Sequence, residues 1–232
     1  GSSDNCATAM TALNTIVAEQ LDDFFETVNK DIEKGTEKRM AIVNVLRKYI
    51  KESKNIRFEG DGYSEEWVKE AAKRGMNNIK NMPRALDAYV SKKSLTLFEK
   101  HGVLNHKEVE ARNEIRLESY IKRVQIEARV MGDLAMNHIV PTAIVYQTKL
   151  IENANGLKGL GVDNAAVVQT IKEISGHIDT IKTSVRAMVE ERKRINKITD
   201  THKRALAYCD DIKEKYFEQI RDAVDKLELL VD

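Results

Sequence analysis

The sequence contains few of the residues that interrupt helices or cross-link a chain. Among its 232 residues there are only two prolines and two cysteines. Cys6 and Cys209 lie near opposite ends of the sequence, unlike the dense cysteines of a small disulfide-stapled secreted domain. We therefore expect two free thiols in a reducing compartment. We also expect long helices, because little proline is present to break them.

Aromatic residues, net charge and long apolar runs are scarce as well. Aromatic residues make up 6% of the chain, and the formal net charge is +1 although 32% of the residues are charged. Nucleic-acid-binding domains usually combine a clustered basic excess with aromatic stacking surfaces, so we expect no nucleic-acid partner. Apolar runs span only a few residues, and the stretch from Gly1 to Asp4 is polar. We therefore expect no membrane partner, no signal peptide and a cytoplasmic location.

The residues that dominate the sequence are the helix formers alanine, leucine, glutamate, lysine and arginine. No stretch alternates apolar and polar residues for long enough to predict a strand. We predict an all-α fold of long antiparallel helices. Several shorter helices occupy residues 1–105, and residues 106–232 form a C-terminal three-helix bundle that resembles a coiled coil.

The first part of the chain is predicted to contain four helices. Apolar spacing indicates helices over residues 9–33 and 37–51. A third helix follows Ser64 and extends to about residue 81, and a fourth covers residues 83–100 with a break near Ser91. The apolar face of the second helix is predicted to consist of Met40, Val43, Leu46, Arg47 and Ile50.

The second part is predicted to contain three long helices. The first covers about residues 106–153, and Pro141 should kink it near Asn137 because proline removes a backbone hydrogen bond. A connector over residues 153–163 leads to a helix that extends to about residue 198. This helix carries a heptad seam, which consists of Val167, Ile171, Ile174, Ile178, Ile181, Val185, Met188, Arg192 and Ile195. The final helix repeats the pattern with Cys209, Tyr216, Ile220, Ala223, Leu227 and Leu230.

The first of these long helices carries two lines of large side chains. The seam that we expect in the bundle core consists of Leu117, Ile121, Val124, Ala128, Met131, Ala135 and His138. We expect His138 to be packed and hydrogen-bonded rather than a ligand. The second line consists of Tyr120, Glu127, Val130, Leu134 and Ile144. One side of a three-helix bundle cannot bury both lines, so the second predicts a contact surface, unless the first four helices cover it.

Three groups of residues resemble ligand-binding motifs but lack essential parts. The glycines within residues 156–161 have neither a preceding strand nor a following Gly-Lys-Ser/Thr, so we expect a helix connector rather than a phosphate loop. Glu59, Asp61 and Glu70 have the spacing of a calcium loop without its glycine, which favours a capped turn. The glutamates at positions 110, 114 and 118 interleave with basic residues, as in a solvated face. Residue chemistry alone therefore assigns no catalytic, cofactor-binding or metal-binding residue.

One segment differs in character from the helical sequence around it. Two glycines two residues apart favour a turn, and Ser64 with the two glutamates after it favours a helix start. The segment reads Arg57-Phe58-Glu59-Gly60-Asp61-Gly62-Tyr63-Ser64-Glu65-Glu66-Trp67, and Glu70-Ala71 and Arg74-Gly75 follow it. It resembles a signature of the type III glutamine synthetases.

Other stretches resemble the same family in collinear order over almost the whole chain. They include Leu13-Asn14-Thr15-Ile16-Val17-Ala18-Glu19, Phe98-Glu99-Lys100-His101-Gly102-Val103, His138-Ile139-Val140-Pro141-Thr142-Ala143-Ile144 and Lys226-Leu227-Glu228-Leu229-Leu230-Val231. The resemblance implies that residues 1–105 are closing helices of a synthetase catalytic region with the signature segment. It implies that residues 106–232 are a C-terminal helical extension.

The resemblance also implies what a parent enzyme would do. Glutamine synthetases use ATP to ligate ammonia to glutamate, with divalent Mg or Mn held by carboxylates and a histidine on a β-sheet. These ligands have no counterpart in this chain, and the Ser2–Asn5 stretch resembles the end of an arginine-containing substrate segment without its arginine. We therefore expect an inactive chain with no cofactor of its own. Its implied partners are the rest of the catalytic domain and further copies in a homo-oligomer. We assign no role to the signature residues, which are Arg57, Glu59, Asp61, Tyr63 and Trp67.

Two interpretations remain open on the sequence. The chain lacks an initiator methionine and stops within an apolar helical pattern at Leu229, Leu230 and Val231, so we expect it to be a fragment of a longer synthetase with a scaffold or assembly role. The alternative is a free-standing helical interaction module with no enzymatic parent.

Overall fold

The structure is a computed structural model that describes residues 6–231. All regular secondary structure in this range is helical, which confirms the predicted all-α fold. The described residues divide into two compact units, one that ends at residue 113 and one that begins at residue 114. None of the helices in the described range combines the length and apolar character that a membrane span requires.

The first unit is built from short and medium helices. Helix α6 (His106–Leu134) begins in this unit and continues into the second. The helices before it are α1 (Ala7–Glu33), α2 (Lys38–Glu52), a 3₁₀ turn (Ser53–Ile56), α3 (Glu65–Lys73), α4 (Met82–Tyr89) and α5 (Lys92–Lys100). Ser91 caps α5 through a hydrogen bond from the Ser94 backbone N–H, so the predicted break near Ser91 is confirmed.

Helices α1 and α2 form a hairpin around a small apolar core. Val28 of α1 packs with Ala41 and Val45 of α2 in this cluster. Gly35 connects the two helices with a φ of 94°, a left-handed conformation that glycine adopts without strain. Helix α5 is joined to α1 by Glu19, whose carboxylate lies 2.7 Å from Lys100 Nζ and 2.7 Å from His101 Nε2.

Two predictions for this unit are wrong. The predicted face of α2 is not the buried one, because Ala41 and Val45 contact α1 while Met40, Leu46 and Ile50 stay exposed. Helix α3 ends at Lys73 rather than near Asn81. Gly75, with a φ of 81°, closes α3 by donating its N–H to the Ala72 carbonyl oxygen at 3.1 Å.

The second unit contains three long helical rods, as predicted. The first rod is the remainder of α6 followed by a π-helical turn (Ala135–Ile139) and α7 (Val140–Gly159). The second rod is α8 (Ala165–Ile195). The third rod is α9 (Thr201–Ala207), a π-helical segment (Tyr208–Phe217) and α10 (Glu218–Glu228). Short connections over residues 160–164 and 196–200 join consecutive rods, and α8 packs against both α7 and α10, as expected for neighbouring antiparallel helices.

The predicted heptad seam of α8 forms the core of this unit. Its buried members are Ile174, Ile178, Ile181, Val185, Met188 and Ile195. The third rod buries the predicted Cys209, Tyr216, Ile220, Ala223 and Leu227, together with Tyr208 and Ile212. Gly132 allows α6 to approach α8 closely, since a Cβ at this position would lie 3.4 Å from Val185 Cγ1. Burial of each large aliphatic side chain contributes roughly 1.5–3 kcal/mol of transfer free energy.

The π-helical turn before Pro141 changes the register of the first rod. A π-helical turn (Ala135–Ile139) interrupts the regular helix near Asn137, where the kink was predicted. A proline at position 141 cannot donate a backbone hydrogen bond. The expectation that His138 packs into the core is wrong, and its side chain is exposed. The wider turn displaces the apolar stripe, so that Val140 and Ala143 are buried instead.

Two further predictions for this unit need correction. The connector is shorter than predicted, because α7 continues through Gly156 and ends at Gly159. Tyr120, assigned to the exposed second line, is buried, whereas Val130, Leu134 and Ile144 are exposed as expected.

A polar network also joins the rods: the Tyr208 hydroxyl donates to Asn196 Oδ1 at 2.5 Å and accepts from Gln125 Nε2 at 2.9 Å.

Candidate functional site

The signature segment forms a compact turn between α2 and α3. Gly60 has a φ of 141°, and a Cβ on this residue would lie 3.0 Å from the ring of Phe58. Glycine is therefore the residue that fits here without strain or a clash. Asp61 Oδ1 accepts the Tyr63 backbone N–H at 2.9 Å, and the Ser64 hydroxyl oxygen accepts the Trp67 backbone N–H at 3.2 Å. These two bonds set the start of α3.

An aromatic and cationic stack lies at the centre of this turn. The rings of Phe58 and Trp67 have centroids 3.8 Å apart and planes inclined by 18°. The Arg74 guanidinium carbon lies 5.3 Å from the Trp67 ring centroid, within the range of a cation–π contact. Glu70 Oε1 accepts from Arg74 Nε at 2.8 Å, and this bond lowers the pKa of the Glu70 carboxyl.

Two arginines fasten the turn to the helices on either side of it. Arg57 donates from its guanidinium to the Ile50 carbonyl oxygen at 2.9 Å. The Arg57 carbonyl oxygen in turn accepts from Arg74 Nη1 at 3.0 Å. The end of α2, the turn and the end of α3 are thereby connected through backbone oxygens rather than through a substrate-like pocket.

The five signature residues do not converge on one site. Arg57 and Trp67 take part in the bonds and stack described above, and Asp61 binds a backbone N–H. Glu59 is exposed, and the Tyr63 side chain is 100% exposed. The contacts of Phe58 and Arg74 with Trp67 were not predicted from the sequence. The spacing of four between Glu70 and Arg74 is the signal that predicts their ion pair.

The nearest approach to a metal-binding group in residues 6–231 is on the π-helical segment of the third rod. One ligand atom from each of Cys209, Asp210 and Glu214 lies within 4.8 Å of the others. The wider π turn brings residues five apart together, and Cys209 Sγ lies 3.5 Å from Glu214 Oε1. Burial is the main cause that raises the pKa of the Cys209 thiol, which favours the neutral form over a metal-binding thiolate. We assign this group a packing role.

A more extensive feature of the first unit is an apolar stripe on α1. Leu13, Val17, Leu21 and Phe25 recur every four residues on one side of the helix. Their exposed fractions are 50–61%, whereas Thr15 and Val28 of the same helix are buried. A monomeric domain rarely leaves so continuous an apolar line in water, so this stripe has the properties of a contact surface.

Comparison with known proteins assigns the chain to a family. The sequence family described as "Glutamine synthetase C-terminal domain" matches residues 41–158, which is half of the chain and includes the signature segment. This chain belongs to the glutamine synthetase C-terminal domain family. The match includes the turn with its ring stack and extends to the end of α7.

Named relatives agree with the glutamine synthetase assignment. The chain is 44% identical to a glutamine synthetase of Bacteroides fragilis (strain YCH46) over 100% of this chain and 32% of that protein. It is 27% identical to a glutamine synthetase of Butyrivibrio fibrisolvens over 85% of this chain and 28% of that protein. It is 29% identical to a type-3 glutamine synthetase of Dictyostelium discoideum over 79% of this chain and 25% of that protein. The chain therefore spans about a third or less of the length of these relatives.

The match leaves the chemistry of the glutamine synthetase reaction unassigned within this chain. The Ser2–Asn5 stretch, which resembles the end of a substrate segment, lies outside the described residues. The signature segment lies within the matched range, and its contacts are internal ones between side chains and backbone. Its geometry can hold α3 in position.

Proposed function

We propose that this chain is the C-terminal helical part of a cytoplasmic type III glutamine synthetase. The complete enzyme ligates ammonia to glutamate at the expense of ATP. The observation that carries the proposal is the 44% identity to a Bacteroides fragilis glutamine synthetase across 100% of this chain. The alternative of a free-standing helical module with no enzymatic parent is disfavoured by the same alignment, because the relative is about three times longer than the matched region.

The chain contributes structure to this enzyme rather than catalytic groups. ATP and divalent Mg or Mn, which the family reaction requires, are bound by the rest of the enzyme. A divalent metal held there would supply charge neutralisation for the transferred phosphoryl group. The described contacts of the signature residues, which are directed to backbone and to one another, are consistent with this division of roles.

The rest of the catalytic domain is the partner of the α1 stripe. Leu13, Val17, Leu21 and Phe25 are apolar, aligned and exposed, and more than half of a relative's length lies outside the matched region. Residues 1–105 are in this view the closing helices of the catalytic region. Residues 106–232 are a scaffold that supports a homo-oligomer.

Substitutions on the stripe test this proposal in the complete gene product that contains the chain. Leu21→Asp places a charge in the proposed contact, and we expect a loss of ATP-dependent glutamine formation of roughly tenfold or more. Asn14→Asp adds the same charge to an exposed polar position of α1 and should retain activity. A complete gene product that forms no glutamine from glutamate, ammonia and Mg-ATP would refute the proposed reaction. Equal activity of the two variants would refute the docking role alone.

A further inference from the structure

The second unit carries an apolar groove that the bundle itself does not fill. The groove has a volume of about 620 Å³ and lies between the end of α6 and the third rod. Ile126, Val130 and Leu134 form its α6 wall and are 47–62% exposed. Phe217 and Val224 form part of the opposite wall. Exposed apolar surface in a concave site is characteristic of a binding surface.

The charged residues that line this groove are mainly acidic. They comprise three carboxylates, from Glu127, Asp225 and Glu228, and one guanidinium, from Arg221. Arg221 Nε donates to both oxygens of Asp225 at 2.7 and 2.9 Å, so that pair is locally neutral. Glu127 also has a cation close by, because Lys213 Nζ lies 3.9 Å from Glu127 Oε2. The excess negative charge of the rim therefore comes from Glu228. The groove therefore favours an apolar segment that carries basic residues.

Helix α2 of this chain has the matching chemistry. It carries five basic residues and one acidic residue between Lys38 and Glu52. Its side chains Met40, Leu46 and Ile50 are 46–54% exposed, and Arg47 lies among them in sequence. This is an amphipathic helix whose apolar residues near helical spacing stay about half exposed, and helices of this kind bind in apolar grooves.

The dimensions of the helix face and the groove agree. Met40 to Ile50 spans about 15 Å along a helix, at about 1.5 Å per residue. Phe217 to Glu228, which lines one wall of the groove, spans about 17 Å by the same rise. An α2 helix therefore fits along the length of the wall.

Charge distinguishes α2 from the other exposed apolar helix of the chain. Helix α1 carries six acidic residues and one basic residue between Ala7 and Glu33. Its stripe would bring further carboxylates beside Glu127 and Glu228, and like charges at an interface oppose binding. The acidic groove therefore selects α2 rather than α1.

We propose that α2 of one copy of this chain binds in the α6–third-rod groove of a second copy. The two surfaces are different, so the contact is heterologous and each copy offers one of each surface. Repetition of such a contact links copies head to tail. This inference rests on the proposed scaffold role and is independent of the reaction that the complete enzyme catalyses.

Sedimentation of the purified 232-residue chain and two variants tests the contact. Leu134→Asp blocks the groove and Ile50→Asp blocks the helix face, and both side chains are about half exposed. We expect the unaltered chain to self-associate at about 100 μM, where a micromolar contact is populated. Each variant should be monomeric under the same conditions. Far-ultraviolet dichroism and melting verify that each variant is folded.

Mixing the two variants provides the decisive result. The helix of the Leu134→Asp chain and the groove of the Ile50→Asp chain are both intact, so the mixture should form a one-to-one dimer that grows no further. Leu160→Asp, at a side chain that is 81% exposed outside both surfaces, is the matched control and should associate like the unaltered chain. The charge variants Glu228→Lys and Arg47→Glu should each weaken association roughly tenfold and should associate with one another.

Three results would overturn the proposal. The first is an unaltered chain that stays monomeric at that concentration. The second is self-association of either variant with the affinity of the unaltered chain. The third is a mixture of monomeric, folded variants that does not dimerise, which would indicate a different occupant of the groove. None of these results bears on the proposed reaction, which is tested separately by glutamine formation in the complete gene product.

Discussion

The rings of Phe58 and Trp67 stack face to face, with their centroids 3.8 Å apart. Gly60 lies between these residues in sequence and adopts a φ of 141°. The stack joins the turn to α3. The Arg74 guanidinium carbon lies over the Trp67 ring, 5.3 Å from its centroid. The turn is therefore held by a small set of side chains near the surface, and its conformation should be sensitive to substitution of Gly60.

Replacement of Gly60 should loosen this turn. The Gly60→Ala side chain would lie 3.0 Å from Phe58 Cζ, and its backbone would keep an unfavourable positive φ. We expect a loss of about 1–3 kcal/mol in local stability. Tryptophan fluorescence should shift to the red as Trp67 leaves its stack and contacts water. Gly62→Ala is the matched control, because a Cβ there has no neighbour within 4 Å. Identical spectra for the two variants would show that the stack does not depend on the turn.

A charge in the α8 seam should destabilise the three-rod unit severely. Ile178 is buried between Ile174 and Ile181 of the same seam. In the Ile178→Asp variant the carboxylate must be protonated or its surroundings must unfold, at a cost of about 3–5 kcal/mol. Thr183→Asp places the same group at an exposed position of α8 and should change stability by less than about 0.5 kcal/mol. Urea denaturation measures both. Equal unfolding midpoints for the two variants would mean that Ile178 does not lie on the face of α8 that packs in the core.

The contact between α1 and α5 should depend on pH through Glu19. Hydrogen bonds from Lys100 and then His101 are the largest causes that lower the pKa of the Glu19 carboxyl from its ordinary value of 4.5. The folded state therefore favours the carboxylate. The stabilisation is fully present above pH 4.5 and is lost as the pH falls through the lower folded pKa.

The Glu19→Gln variant measures this dependence. Its melting temperature should lie below that of the unaltered chain at neutral pH, and the difference should disappear in acid. Glu26→Gln is the control, because Glu26 is paired with Lys30 on the same helix at 3.4 Å and does not connect α1 to α5. A difference for Glu19→Gln that grows as the pH falls below 4.5 would contradict the assigned direction.

The sequence predicted the elements with one dominant apolar seam, such as α8 and its buried Ile174, Ile178 and Ile181. It failed for α2, which has apolar residues on two sides. Periodicity identifies both faces, and only tertiary packing selects Ala41 and Val45. His138 was misplaced for another reason. A π-helical turn changes the register by local hydrogen bonding, and a regular helical spacing contains no signal for it.

The signature segment shows a similar limit for sites. Two glycines and Ser64 predicted a turn followed by a helix start, and the Ser64 cap confirms that local prediction. The stack of Phe58 on Trp67 joins residues nine apart across the turn, so neither helical nor strand spacing indicates it. Local chemistry therefore predicts the turn and the helix start. The side chains that contact one another across the turn depend on the path of the backbone through it.

Complementation between separately produced parts tests the central proposal most directly. The purified chain and the remainder of its complete gene product are assayed for glutamine formation from glutamate, ammonia and Mg-ATP, alone and after mixing. We predict no turnover above a no-protein blank for the chain alone, little turnover for the remainder, and a large gain on mixing that Leu21→Asp abolishes. Turnover by the chain alone, or full activity of the remainder without it, would contradict the proposed structural role of this chain.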